Sequence, residues 1–418
     1  MKTSYEIVVI GGGPAGLAAA ISAYDSGCKD LLIVERDARL GGILNQCIHN
    51  GFGLQTFKES LTGPEYSARF IDEVKKRDIT VLTQTTVLSL NQNKELTIMN
   101  PNEGVVTITA KAVILAMGCR ERSRGALNIA GYRPSGVFSA GTAQVYLNIK
   151  GYLPGKRVVI LGSGDIGLIM ARRLTLEGAK VLAVCEIMPY SSGLKRNIKQ
   201  CLEDFDIPLY LNHTITKIEG NRRVTGVVVS KVDENKRAIP GTEMHFDCDT
   251  VLFSVGLIPE NELSKEANVP LSPKTKGAIV HQNRETLVDG IFACGNVLQV
   301  HDLVDFVSEE AFLAGKSAYE YLSSEAKEKD CIEVCNGENI NYVVPQIIDK
   351  KASGNVKLYF RVSNTFKNCK IKVVSGDNVL LERKKIVAVP GEMETLVLTE
   401  EKIRSCTQEI IVCLETGI

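Results

Sequence analysis

The stretch Glu6-Ile-Val-Val-Ile-Gly-Gly-Gly-Pro-Ala-Gly16 runs from a short β-branched segment into a glycine turn, and an Ala- and Leu-rich segment follows it. That order predicts strand, tight turn and helix. A second apolar run, Leu31 to Val34, ends on Glu35. The same order recurs mid-chain. Arg157-Val-Val-Ile-Leu161 leads into Gly162-Ser-Gly-Asp-Ile-Gly167, a helix to about Glu177, and Val181 to Cys185 ending on Glu186. In both copies the acidic residue stands the same number of positions after the first glycine.

This doubled pattern predicts two dinucleotide-binding folds. Gly11 and Gly162 allow the turn out of the strand, Gly13 and Gly164 let a pyrophosphate approach the backbone, and Gly16 and Gly167 let the helix pack closely. Pro14 and Ala15 in the first copy, with Asp165 and Ile166 in the second, open the helix whose N-terminal N–H groups attract phosphate. Glu35, with Arg36 beside it, and Glu186 are placed to accept from ribose hydroxyls. A carboxylate at Glu186 also disfavours the extra phosphate of NADP, so NAD(H) is expected there. Lys195 and Arg196 further on leave NADPH open as the less favoured nucleotide. The plainer reading is two α/β units with glycine turns and no nucleotide.

Composition fits a globular protein of two or three domains: 418 residues, 44% hydrophobic and 23% charged,. Lys and Arg together number 49 and so do Asp and Glu, which points away from a nucleic-acid partner. The apolar run Ile7 to Tyr24 is interrupted by Gly11 to Pro14, so it reads as strand, turn and helix and not as an integral membrane segment or a signal peptide. A cytoplasmic location is expected. Twelve cysteines without Cys-x-x-Cys spacing and five scattered histidines suggest reduced thiols and no metal site.

Further segments carry a resemblance. Gly41 and Gly42 follow Glu35; Val113 to Gly118 and Val251 to Gly256 are apolar strands ending on glycine; Gly290 to Asn296 is another strand-to-loop motif. With the two fingerprints, these resemble the two-dinucleotide-binding-domain flavoproteins of the pyridine nucleotide-disulfide oxidoreductase superfamily, which includes thioredoxin reductases. The resemblance implies an FAD- and NAD-dependent oxidoreductase, FAD in the N-terminal fold and the nicotinamide nucleotide in an inserted one. It implies cofactor contacts at Gly118, Gly256 and Gly295, and at Asn296, where the family pattern has Asp. It further implies that the helix Phe306 to Leu322, through Ser308 to Ala311 and hence Glu309, faces the flavin. Domains are then expected at 1–120 with 258–330, at 121–257, and at 336–418.

Neither known position for a cysteine pair is filled, so no internal dithiol relay is expected. Cys47, beside His49, is the candidate catalytic thiol, or else a small buried residue next to the cofactor. The runs Asn45 to Gly53 and Cys294 to Asp305, with the C-terminal tail, are similar to the flavin- and NAD-binding subunits associated with glycerol-3-phosphate dehydrogenase, opine oxidase and sarcosine oxidase. That resemblance implies electron transfer to or from a partner dehydrogenase subunit, with His301, Asp302 and Asp305 facing flavin or partner. A stand-alone single-cysteine NADH oxidase, peroxidase or disulfide reductase using Cys47 is the alternative, and a non-enzymatic scaffold a third. From about Asn336, alternating residues predict a small antiparallel β-sandwich. Within it, Val356, Leu358, Phe360 and Val362 would face inward, and Lys357, Tyr359 and Arg361 would face solvent. The tail is expected to dock a partner or a second copy and to be removable with little effect on cofactor chemistry.

Overall fold

The computed structural model describes residues 2–323 and 329–416. Residues 324–328, near the end of the expected 258–330 segment, and 417–418 lie outside the described residues. The chain divides into two compact units. Met1–Asn45, Asn50–Cys119 and Pro259–Ile418 form the first, and Gln46–His49 with Arg120–Ile258 form the second.

In the first unit the strand Ser4–Ile10 lies between Leu31–Val34 and Gly104–Leu115, parallel to both. Thr80–Leu82 and Ile291–Ala293 extend the parallel sheet at either side, while Glu95–Asn100 and Thr86–Leu90 continue it antiparallel. Strand alternation sorts the side chains by face. Ile7 and Val9 pack beneath the helices Pro14–Ser26 and Val304–Ser323, whereas Val8 and Ile10 pack on the opposite side with Val113, Val280 and Leu298. Burial on both faces explains the unbroken apolar run in the sequence.

Pro14 starts the first helix, where its missing N–H has no partner to lose, and Gly27 at φ 129° ends it,. The helix Val304–Ser323 lies against it so closely that a Cβ on Gly315 would stand 2.0 Å from the Ala19 carbonyl oxygen.

The second unit has a five-stranded parallel sheet in the order Val137–Ser139, Thr250–Phe253, Arg157–Leu161, Lys180–Glu186, Leu209–Leu211. Its helices Ala140–Asn148 and Asp165–Leu176 cover one face, and a four-stranded sheet shares the core on the other. The segment Gln46–His49 belongs here because the Gln46 amide donates to the Gly141 carbonyl and to Gln144 Oε1, while Asn148 donates to the Gln46 carbonyl.

The tail pairs a five-stranded with a three-stranded sheet around its own core. Pairing is antiparallel except that Cys331–Asn336 runs parallel to Ile410–Thr416. The strands Cys331–Asn336 and Ile347–Asp349 precede or interrupt the segments expected from alternation.

Val356, Leu358, Phe360 and Val362 do line the tail core. The opposite face of that strand is not solvated, contrary to the expectation from sequence. Tyr359 is 2% exposed, because its ring lies against His301 and Arg284 of the same unit. Tyr342 and Val344 are part of the same cluster as Val8 and Ile10. The tail therefore has its own core but shares a compact unit with residues 259–323. No helix among the described residues is long and apolar enough to cross a membrane.

Candidate nucleotide-binding sites

In the first unit the Gly11 N–H donates to the Val34 carbonyl at 2.8 Å, which bends the chain out of its strand. Gly11 adopts φ 108°, and a Cβ there would lie 2.5 Å from the Ala116 carbonyl oxygen, so no other residue fits. Gly16 is equally constrained, its notional Cβ 1.8 Å from the Gly11 carbonyl oxygen. Gly13 differs, since the nearest atom to its notional Cβ is the Gly42 Cα at 3.9 Å. The two glycine backbones thus approach closely, a Cβ on Gly42 standing 3.0 Å from the Gly13 Cα, and leave a surface without side chains at the start of the Pro14-Ala15-Gly16 helix turn. This cradle suits a pyrophosphate approaching backbone N–H groups and a positive helix end.

Glu35 is 6% exposed. Its carboxylate accepts the Gly12 N–H at 2.7 Å and the Asp37 N–H at 2.8 Å, and this holds it at the end of its strand. Arg36 is exposed. Gly41 donates to the Gly12 carbonyl, which ties the second glycine pair to the fingerprint.

The second unit repeats these contacts. Gly162 donates to the Cys185 carbonyl at 2.7 Å. Glu186 accepts from the Ser163 N–H at 3.0 Å, its hydroxyl at 2.7 Å and the Met188 N–H at 2.9 Å. A Cβ on Gly167 would meet the Gly162 carbonyl oxygen at 2.6 Å, while Gly164 has only the Ser192 and Ser254 hydroxyls nearby, at 3.6 and 3.7 Å. Asp165, at the first helical position beside Ile166, turns its carboxylate away to Leu194 N–H and Asn197. Lys195 and Arg196 are exposed. Gly118 and Gly256, the two strand-ending glycines, have φ 74° and 103° with open space at the Cβ position.

The loop after Ile291–Ala293 closes over the first fingerprint: a Cβ on Gly295 would stand 2.8 Å from the Ala15 Cβ. The Asn296 oxygen accepts the His301 N–H at 3.0 Å, and its amide points to Cys119 Sγ at 3.6 Å. The Asn296 amide thus carries an N–H donor, which an Asp at this position would not.

Behind this loop sits a buried charged cluster that the sequence reading missed. Glu310, 1% exposed, accepts from Gly295 N–H, Arg284 Nε, Gln299 Nε2 and His301 Nε2, all within 2.9–3.0 Å. Burial alone would raise its carboxyl, but the His301 and Arg284 charges and these hydrogen bonds hold it down at about 2,. Glu309, the residue named from sequence, is exposed and pairs with Lys357 at 2.7 Å. Helical phase separates the two acids, because Glu310 falls on the buried stripe Val307, Ala311, Ala314, Ala318,.

Asp302 binds Arg361 and the Met393 N–H, and Asp305 accepts from Gly53 and Thr56 N–H groups. Cys47 lies with Gln144 of the second unit, Sγ to Oε1 at 3.9 Å, and burial pushes its thiol up to about 12.

The model for pyridine nucleotide-disulphide oxidoreductases matches residues 5–318. Thioredoxin reductase of Mycolicibacterium smegmatis is 27% identical over 76% of this chain and 94% of its own. An opine oxidase subunit from Agrobacterium tumefaciens is 24% identical over 70% of this chain, and the match spans only 61% of that relative's length. The crystal structure of T. acidophilum thioredoxin reductase superposes with a TM-score of 0.65 at 26% identity, covering 77% of this chain and all of that one. Enzymes of this type use FAD and a pyridine nucleotide, and both glycine cradles fit such groups. The chain belongs to the pyridine nucleotide-disulphide oxidoreductase family, as an FAD-dependent oxidoreductase.

Proposed function

We propose that this oxidoreductase transfers hydride between NADH, held in the second unit, and FAD, held in the first, and exchanges the electron pair with a separate partner dehydrogenase. The observation that carries this reading is the chemistry of Cys47. Burial keeps its thiol protonated at neutral pH, and a protonated thiol is a poor nucleophile. The twelve cysteines form no disulfide.

In this reading the adjoining Gly13 and Gly42 backbones form the surface that the FAD pyrophosphate approaches, Glu35 and Asn296 bind its sugar hydroxyls, and Gly164 and Glu186 do the corresponding work for NADH. Bound FAD supplies the two-electron chemistry. The buried Glu186 carboxylate supports NADH over NADPH by excluding a 2′-phosphate. Relatedness to the opine oxidase subunit of A. tumefaciens supports a partner subunit of amine- or amino-acid-oxidising type.

A second reading is favoured by the M. smegmatis relative, whose length the chain nearly spans: a disulfide or peroxide reductase using Cys47 as its single thiol. Anaerobic stopped-flow reduction separates the two. NADH is expected to bleach the flavin faster than NADPH, and Cys47→Ser to keep NADH-to-dye transfer within about tenfold, or about 1.4 kcal/mol of barrier. Loss of disulfide or peroxide reduction in Cys47→Ser, with flavin bleaching intact, would establish the second reading instead.

A further inference from the structure

We infer that the tail strand Val356–Val362 positions the FAD-binding loop, with Arg361 as its principal positioning residue. The inference rests on the assignment of FAD to the first unit. The family match ends at residue 318, so nothing in it assigns the tail a part in cofactor binding.

Three side chains on one face of this strand reach residues outside the tail but in the same unit. Lys357 pairs with Glu309 of the helix Val304–Ser323. The Tyr359 ring meets the His301 imidazole edge-on at 5.9 Å, and the Arg284 guanidinium lies 5.6 Å from the same ring. Arg361 donates to the Val300 carbonyl at 3.1 Å and to Asp302, and its Nε donates to the Tyr342 hydroxyl at 3.1 Å.

These contacts bracket residues 300–302, and the consequence passes to the cofactor loop by two routes. The His301 N–H holds the Asn296 oxygen, and its Nε2 joins the Glu310 cluster that accepts the Gly295 N–H. Gly295 in turn lies over Ala15 in the glycine cradle. A planar, five-donor guanidinium fixes this segment in a way that a single-point cation does not.

The test uses the full-length chain as Arg361→Ala, Arg361→Lys and Asp302→Asn, with FAD titrated into apoprotein. Its readouts are Kd for FAD, visible circular dichroism of the bound flavin, and apoprotein Tm. Arg361→Ala and Asp302→Asn are expected to raise Kd by on the order of tenfold and to alter the flavin dichroism, with Arg361→Lys recovering part of both. Gly13→Leu, which obstructs the cradle, serves as the site control. If it binds FAD like the parent, the site assignment fails and the inference with it. If it loses FAD while Arg361→Ala and Asp302→Asn keep the parental Kd and dichroism, the assignment stands and the inference is overturned. A lowered Tm without those two changes also overturns it. Should Arg361→Ala fail to fold, Asp302→Asn, which keeps its volume, decides alone.

Discussion

Glu35 and Glu186 each accept from backbone N–H groups of two segments, so both carboxylates are already oriented for the ribose contacts proposed above. Glu310 is a different kind of acid, since its work is structural. It pairs with Arg284 and hydrogen-bonds His301 where all three side chains are within 2% of full burial. Replacing it as Glu310→Gln leaves the buried Arg284 charge without its carboxylate and is expected to cost about 3–5 kcal/mol at pH 7, measured by urea unfolding. Its carboxyl is held below its ordinary value of 4.5, at about 2. The stabilisation is therefore complete above about pH 4.5 and disappears as pH falls through about 2. The gap between parent and variant should accordingly narrow between pH 5 and pH 3; a constant gap would show that Glu310 does not act through its charge.

Among elements, the contact between Pro14–Ser26 and Val304–Ser323 makes the clearest demand on sequence. In an open helix Gly→Ala stabilises by about 1 kcal/mol. At Gly315 the added methyl would stand 2.0 Å from the Ala19 carbonyl oxygen, so Gly315→Ala is expected to destabilise by about 1–3 kcal/mol. Thermal unfolding reads the sign directly. This helix and both fingerprints were legible in the sequence because local patterns encode them: glycine spacing, strand-end carboxylates and a small-residue stripe. The exposed face assigned to Lys357, Tyr359 and Arg361 was not. Alternation reports that a strand has two faces, but only tertiary packing decides whether the polar one meets water. Arg284, Gln299 and Glu310 likewise stand apart in sequence and become one cluster only when the loop and helix come together.

For the whole molecule, the tail's packing changes what truncation should do. Were the tail a free module, removing it near Asn336 would leave flavin chemistry intact. Tyr342 and Val344 instead share a core with Val280 and Leu298. A chain ended at residue 330 is thus expected to purify with less FAD and to aggregate, by flavin absorbance and light scattering. Parental flavin content in a monodisperse truncated protein would contradict this. The order of strands inside the tail carries a consequence for biosynthesis. Ile410–Thr416 lies in the middle of its sheet, between Cys331–Asn336 and Phe366–Ser375. Synthesis proceeds from the N-terminus, so the glycine turn at Gly11 emerges from the ribosome some four hundred residues before this strand,. Until it is made, the five-stranded sheet lacks its centre, and the three-stranded sheet that carries Arg361 lacks part of the core it packs on. A nascent chain thus carries the proposed phosphate cradle well before it carries the completed tail, and, if Arg361 positions the flavin loop as inferred above, stable cofactor uptake is expected only after the strand Ile410–Thr416 has been made.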